Sequence, residues 1–295
     1  MNRADGSPGA AAILDLVATG PGRFTAAGGA ANHIGTVFGG RMIGQALCAA
    51  VAGVERLPLA SLHACFLAPG RLDLPLDYEV LPLRDSRRFA NRQVQVRQQG
   101  RLIVTLLAAF HAEEDSFAHQ AAAMPAVLPP EDVAPLADFI AANAHRLDSA
   151  AIRNFGGALP IEMRPIAPEA YFLGRPATPQ RAFWFRLKGA AQIADPRLHQ
   201  CLLAYASDYW LGGAAAISHA LPTNSRVLLI SSLDHALWFH RPVRCDEWLL
   251  HHTHSPSAGG GQGLVQGQIF TRDGRLVATT TQECLLRRLA DAPSG

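Results

Sequence analysis

The residue that most needs a chemical explanation is an acid inside an apolar run. Asp208 stands in Leu202-Leu-Ala-Tyr-Ala-Ser-Asp-Tyr-Trp-Leu211. On a helix, its neighbours three and four positions away are Ala204, Tyr205, Leu211 and Gly212. An ionised carboxylate on such a face is costly unless it is partnered. Two readings account for it. Asp208 is a general base or water-orienting acid with a tuned pKa, or it is a structural acid holding a hydroxyl or backbone amide. Two more polar residues stand on strand-like runs. Ser232 alternates with Leu228, Ile230 and, further on, Trp238; Gln282 alternates with Leu276, Ala278 and Cys284. Strand alternation sends both toward the apolar side that must face a helix. A carboxylate, a hydroxyl and an amide converging there can hold one water molecule between them. Taken singly, each strand residue reads more simply as a satisfied polar group of the core.

Other motifs are weaker. His251-His-Thr-His254 has the residue type of a metal tract, with His252 and His254 on one strand face. No carboxylate or cysteine lies at ligand spacing beside it, so it reads as an exposed strand face. Asp234-His235 resembles an acid–base dyad, but consecutive strand residues point to opposite faces, which favours a structural role. Gly259-Gly-Gly-Gln-Gly263 precedes a strand and has no lysine after it, so it reads as a flexible hairpin rather than a phosphate loop. No G-x-S-x-G elbow occurs, which argues against a serine hydrolase of the α/β type. The five cysteines are scattered, with no C-x-x-C pair, and read as small core residues in a reducing compartment. The expectation is a site without metal or cofactor.

The elements that must position these residues come from a duplication. Gly100-Arg-Leu-Ile-Val-Thr105 recurs as Gly274-Arg-Leu-Val-Ala-Thr279, and a Phe-x-x-Pro lies upstream of each, at Phe66–Pro69 and Phe239–Pro242. Each copy opens with a helical pattern, Gly39–Val54 in the first and about Pro196–Ile217 in the second. Asp195 reads as the N-cap of the second helix, with Pro196 in its first position. Strand-like runs follow: Leu59–Leu67, Leu76–Leu83, Phe89–Gln98 and Arg101–His111 in copy one. Copy two has Arg226–His240, Trp248–His254, Gly263–Thr271 and Arg275–Leu286, and Arg181–Lys188 precedes its helix. Gln99-Gly100 and Asp273-Gly274 read as tight hairpin turns. Each copy is thus an antiparallel meander whose apolar face is covered by one long helix. The expected organisation is an N-terminal domain at 1–115, a linker at 116–159 and a C-terminal domain at 160–289 carrying the catalytic residues. The Ala/Pro-rich linker is expected to pack on the outside, with one short helix at Glu131–His145.

Composition sets the outer limits. The 295 residues are 49% hydrophobic and only 17% charged, so the chain has ample apolar material for real cores. A net charge of +2 argues against a nucleic-acid partner, which would want a basic stripe. No apolar run is long enough for a membrane span, and neither a secretory leader nor a peroxisomal address is read. The expectation is a cytoplasmic protein.

Five stretches in order carry a family resemblance: Val37-Phe-Gly-Gly-Arg-Met-Ile-Gly-Gln-Ala-Leu47, Phe66-Leu-Ala-Pro-Gly70, Leu203-Ala-Tyr-Ala-Ser-Asp208, Leu233-Asp-His-Ala-Leu-Trp-Phe-His-Arg-Pro242 and Gly274-Arg-Leu-Val-Ala-Thr-Thr-Thr-Gln-Glu283. From about Leu14 to Arg287 the chain resembles the type II acyl-CoA thioesterases of the double hotdog group. The resemblance implies an α+β fold of two fused hotdogs, each an antiparallel sheet wrapped around a long helix, with the sheets joined side by side. It implies hydrolysis of fatty acyl-CoA to free acid and CoA, with no cofactor, by a homo-oligomer of double hotdogs. It also implies a catalytic trio of Asp, Thr or Ser, and Gln in the second copy, which falls on Asp208, Ser232 and Gln282. In the mechanism we expect, backbone N–H groups of Gly39 and Gly40, at the start of the copy-one helix, stabilise the oxyanion. Trp210, with Met42 and Phe66, is expected to line the acyl group.

The chain departs from the family pattern in three places. Ser232 stands where Thr is usual and loses the methyl that stiffens the rotamer. Asp85-Ser-Arg-Arg-Phe89 replaces the common Asp-Gly-x-Ser-Phe, and Gln262-Gly263 replaces an Arg-Gly pair. The loss of that arginine leaves two alternatives beside hydrolysis of acyl-CoA: a non-hydrolytic acyl-thioester-binding protein, or a thioesterase for carrier-protein-bound acyl groups. A hotdog hydratase wants His five residues after its Asp, where Gly213 stands; a dehydratase wants His-x-x-x-Gly, and His33 is followed by Val37 at that spacing.

Overall fold

The computed structural model of the chain describes residues 9–29, 32, 34–157, 159–175, 177–219 and 228–289. His33, the expected strand opening at Arg226 and Val227, and the tail from 290 lie outside the described residues. The first half contains a helical turn α1 (Ala10–Ile13), strands β1 (Val17–Gly20) and β2 (Arg23–Ala26), and helix α2 (Gly39–Ala52). Strands β3 (Leu59–Phe66), β4 (Leu76–Asp85), β5 (Phe89–Gln98) and β6 (Arg101–His111) follow. Helices α3 (Leu136–Ala142) and α4 (Ser149–Phe155) lead to β7 (Ile161–Pro165), α5 (Pro168–Phe172) and β8 (Gln180–Leu187). The second half continues with α6 (Pro196–Ser207), α7 (Ala214–Ile217), β9 (Leu228–Ser232), β10 (Asp234–Phe239), β11 (Leu249–Gly259), β12 (Gln262–Thr271) and β13 (Leu276–Arg288).

The duplication is visible in the strand order. The sheet runs β1-β2-β4-β5-β6-β3 and then β10-β13-β12-β11-β8-β7, the second half mirroring the first. The two sheets meet where β3 pairs antiparallel with β10, Leu62 opposite Leu237. This is the expected double hotdog: two antiparallel sheets side by side, each laid over its own helix. Strand β5 alternates buried and half-buried positions along its length, as a strand with one core face must. Gln99 (φ 49) and Gly100 (φ 80) close the β5–β6 hairpin with two left-handed residues, the geometry that matches strand twist. Gly260 and Gly261 (φ 61 and 83) do the same between β11 and β12, so the glycine run is a hairpin.

The two central helices pack antiparallel and unusually close. A Cβ on Gly44 would lie 3.1 Å from the Cys201 carbonyl, and one on Gly40 would collide with the Tyr205 carbonyl and the Phe38 ring. Gly40-x-x-x-Gly44 thus lets one backbone rest on the other. Gln200 locks the halves further: its amide receives from Leu59 N–H at 3.0 Å and donates to Leu59 C=O at 2.8 Å. The core is continuous across the junction, where Leu62 and Leu237 are both fully buried. Leu237→Ala is expected to destabilise the protein by about 2–5 kcal/mol, read as a lower denaturant midpoint with an unchanged slope.

Several expectations are corrected. The second helix does not run to Ile217. It ends at Ser207, and the chain turns before α7, with Trp210 in a left-handed conformation (φ 61). Gly212-Gly213 weakens helix continuation, and the Arg181 guanidinium takes the Trp210 carbonyl at 2.7 Å. The linker holds α3 and α4 rather than one helix from Glu131 to His145. It does pack outside: Met124, Val127 and Val133 cover Trp184, Leu250 and Phe270, and Trp184 Nε1–H donates to Leu128 C=O at 2.8 Å. Strands β1, β2 and β7 carried no sequence signal strong enough to be expected. Cys65 is exposed rather than a core residue. Asp195 caps α6 as expected, accepting from Arg197 N–H at 2.9 Å.

Candidate active site

Asp208 is the first residue past α6, and the antiparallel packing brings it to the N-terminus of α2. Phe38, the N-cap of α2, has no side-chain acceptor. The Asp208 carboxylate supplies it from the other helix by accepting the Gly40 backbone N–H. An anion is favoured at a helix N-terminus, where free N–H groups and the helix dipole converge. The carboxylate is nonetheless almost sealed from solvent, at 5% side-chain exposure. Burial raises its pKa above the ordinary aspartate range, and the bonds from Gln282 and Gly40 pull it partly back. Close approach is possible because position 39 has no side chain: a Cβ there would stand 2.8 Å from Asp208 Oδ2 and 3.1 Å from the Phe66 ring.

Gln282 ties the three expected residues together. Its Nε2 donates to Asp208 Oδ1 and to Ser232 Oγ, each at 2.8 Å. A carboxylate can only accept, so the amide nitrogen must face it. Both amide hydrogens are then committed. Ser232 Oγ, being an acceptor from Gln282, keeps its own O–H free for another group.

The expected single strand Arg226–His240 is broken, and the break builds the site. Ser232 pairs with Cys284 while Ala236 pairs with Thr281, so four steps on one strand face three on β13. The extra residue is a bulge at Leu233–Asp234. A continuous strand would put Ser232 and His235 on opposite faces; the bulge brings both inward. Trp238, expected on the Ser232 face, is instead 37% exposed. Asp234 turns away and accepts from Glu283 N–H at 2.7 Å.

His235 is the residue that sequence reasoning missed at this site. It is fully buried, with Nδ1 3.4 Å from Gln282 Nε2 and Nε2 3.0 Å from Ser207 Oγ. Burial pushes its pKa down to about 3, so it is neutral, and its 3.9 Å approach to Asp208 Oδ1 is not an ion pair. Ser207 donates its O–H to Ala204 C=O at 2.9 Å, so His235 Nε2 carries the ring proton and donates to Ser207, and the bare Nδ1 faces the site. His235 thus packs behind the trio, its Nδ1 beside the Gln282 amide nitrogen. Its only sequence signal was adjacency to Asp234, and strand alternation pointed the other way.

The remaining candidates separate. Gly39 and Gly40 do lie at the trio, where the Asp208 carboxylate approaches the start of α2. Trp210 sits in an aromatic cluster with Phe155, Tyr171, Phe172 and Phe183, at ring separations of 5.0–5.8 Å. The histidine tract is not an exposed face: His251 is fully buried, while His252 and His254 are half-buried. Gln262, in place of the family's arginine, lies 3.5 Å from Glu283 Oε2 on the exposed hairpin. In the loop that departs from Asp-Gly-x-Ser-Phe, Asp85 instead pairs with the buried Arg92 at 2.7 Å.

Along most of its length the chain is similar to known proteins. The acyl-CoA thioesterase family model matches residues 152–285, and the model for the acyl-CoA thioesterase N-terminal domain matches 28–111. The chain is 38% identical over 253 residues to acyl-CoA thioesterase 2 of Haemophilus influenzae, covering 85% of this chain and 87% of that one. It is 36% identical to human acyl-coenzyme A thioesterase 8, covering 85% and 80%. Among solved structures, an acyl-CoA thioesterase II from Mycobacterium marinum superposes with a TM-score of 0.75 at 35% identity, over 96% of this chain and all of that one. A hot dog fold protein from Alicyclobacillus acidocaldarius matches at a TM-score of 0.76 and 21% identity, a likeness of fold. Two family models in order, relatives above one-third identity over most of their length, and the same double sheet lead to one conclusion: the chain belongs to the acyl-CoA thioesterase family.

Proposed function

We propose that this protein hydrolyses acyl-CoA thioesters to free acid and CoA, with Asp208, Ser232 and Gln282 holding the attacking water. The observation that carries the reading is the Gln282 amide bonded at once to a buried carboxylate and a hydroxyl, at a helix N-terminus. Asp208 accepts a proton as the water oxygen attacks the thioester carbonyl. Ser232 and Gln282 fix the water and the base in register. The Gly39 N–H and the positive end of α2 face the charge that develops on the carbonyl oxygen. When the C–S bond breaks, the proton on Asp208 passes to the leaving CoA thiolate, and the balance is one water consumed per thioester.

The names of the relatives support CoA as the carrier, and they disfavour the non-hydrolytic and carrier-protein alternatives. The test is thiol release across acyl-CoA chain lengths. Thiol release with at least one chain length is expected; tight binding without release at any length defeats the reading. The trio also sets a pH dependence. Asp208 works as a base only when ionised, so kcat/KM falls as pH drops through its raised pKa. The acidic limb is expected at a midpoint above the ordinary aspartate value of 3.8. His235 does not contribute to it, because it stays neutral down to about pH 3. An acidic midpoint at or below the ordinary aspartate value removes Asp208 as the base.

The division into 1–115, 116–159 and 160–289 belongs to the same proposal, supported by family models that fall on either side of the linker's first half. So do the homo-oligomer of double hotdogs and the cytoplasmic setting.

A further inference from the structure

Three acceptors crowd one amide nitrogen at the site. Gln282 Nε2 lies 2.8 Å from Asp208 Oδ1, 2.8 Å from Ser232 Oγ and 3.4 Å from His235 Nδ1. A primary amide has one hydrogen for each of two acceptors, so the third goes without. The distances decide which: the two short contacts take the hydrogens, and Nδ1 is left standing beside them. Nδ1 cannot turn into a donor. Ser207 gives its O–H to Ala204 C=O, so it can only accept from His235 Nε2, at 3.0 Å, and the ring proton is held there. Nor can the ring leave for solvent. It is fully buried on β10, which is paired with β3 on one side and β13 on the other.

A third acceptor matters when one of the other two changes state. With Asp208 ionised, its bond from Gln282 is charge-assisted, and a neutral ring nitrogen at 3.4 Å does not compete. Once Asp208 holds a proton, that assistance is gone, and the carboxyl presents an O–H donor as well. The lone pair on Nδ1 is then the stronger acceptor within reach of the amide. A tilt of the Gln282 amide closes the gap, and its other hydrogen stays on Ser232 Oγ.

We propose that His235 is a positioning residue for the hydrolysis, its Nδ1 receiving a Gln282 N–H while Asp208 carries the proton taken from water and releasing it when that proton passes to the thiolate. This rests on the thioesterase reading above. No covalent bond to His235 forms or breaks; only the hydrogen bond moves. Both amide hydrogens of Gln282 stay bonded through the cycle, so the protonated acid is not opposed by a stranded donor in a buried site. Ser207 takes part by holding the ring in the tautomer that leaves Nδ1 bare.

The test separates the two faces of the ring. His235→Asn puts an oxygen on Cγ in place of Nδ1 and gives up the bond to Ser207. His235→Gln reaches Ser207 with its amide and has no acceptor on Cγ. His235→Gln is expected to lower kcat about tenfold with KM within about twofold, and His235→Asn to recover kcat to within about threefold of wild type. A merely structural role for the Ser207 bond predicts the opposite order, so asparagine no better than glutamine overturns the proposal. A folded His235→Gln with wild-type kcat overturns it too. Nitrogen-15 NMR of the histidine rings needs neither variant. In the wild type His235 is expected to carry its proton on Nε2, and in Asp208→Asn, where the charge is gone, the Nδ1 resonance is expected to move upfield as it gains a hydrogen bond. A proton on Nδ1 in the wild type, or an unmoved Nδ1 resonance in Asp208→Asn, overturns the proposal. If the wild type is active, Asp208→Asn is dead and His235→Gln runs at full speed, the positioning role alone has failed. If the wild type releases no thiol from any acyl-CoA, the functional reading has failed and takes the positioning role with it.

Discussion

Asp208→Asn is expected to lower kcat for acyl-CoA hydrolysis by about 10³-fold, the scale of a lost general base. Asparagine preserves the shape but cannot take a proton from water at neutral pH. It also replaces one acceptor oxygen by a donor amide beside the Gln282 Nε2–H that now bonds Oδ1. The protein should stay folded, because the substitution removes a charge that burial disfavours. Linkage gives this a sign. A carboxylate whose folded pKa is raised contributes stability that is fully present below its unfolded pKa and is lost as pH rises through the folded value. The variant lacks this loss, so its stability relative to wild type should improve as pH rises through that window. Turnover is read by thiol release, and stability by thermal melts across pH. Turnover within tenfold of wild type in a folded variant would remove Asp208 from the mechanism.

Gly39→Ala should have the second-largest effect on catalysis, at about 10²-fold in kcat, by displacing the base rather than deleting it. The new methyl would stand 2.8 Å from Asp208 Oδ2, inside contact distance, and 3.1–3.2 Å from the Phe66 ring edge. The carboxylate is the group free to rotate, and any rotation loosens its bond to Gln282 or to Gly40. Alanine is a better helix former than glycine, so helix propensity itself does not oppose the substitution. A folded Gly39→Ala with wild-type kcat would show that the close approach of this carboxylate to α2 is incidental. The contrast with Gly40 is instructive: a methyl there meets the Tyr205 backbone carbonyl, which cannot swing aside, so the damage would be to helix packing.

Much of the fold was legible because its signals are local. The two strands Phe89–Gln98 and Arg101–His111 form over the ranges that alternation assigns, because each buries one face and is closed by a turn whose residues accept left-handed geometry. Asp195-Pro196 starts α6 for equally local reasons. Strands β1 and β2 are four residues long and mostly outside the core, and β7 alternates buried and half-buried positions over only five residues, too short a run to stand out. They are defined by the strand beside them.

The site divides along the same line. Asp208, Ser232 and Gln282 could be chosen from sequence because a polar residue at an apolar position carries a desolvation cost wherever the chain puts it. How they meet could not be read that way. The end of α6 at Ser207, the bulge at Leu233–Asp234 and the contact of Asp208 with a helix start 168 positions earlier, at Gly40, are settled by packing between segments remote in sequence. The bulge brings His235 to the same inner face as Ser232, which unbroken alternation along one strand would not do. Sequence by itself determined the repeat, the strand faces and which side chains are too polar for their surroundings, since these depend on neighbours along the chain. Only the tertiary structure decided which donors face which acceptors, because a hydrogen bond needs distance and direction, and those are fixed when the two helices and two sheets close on each other.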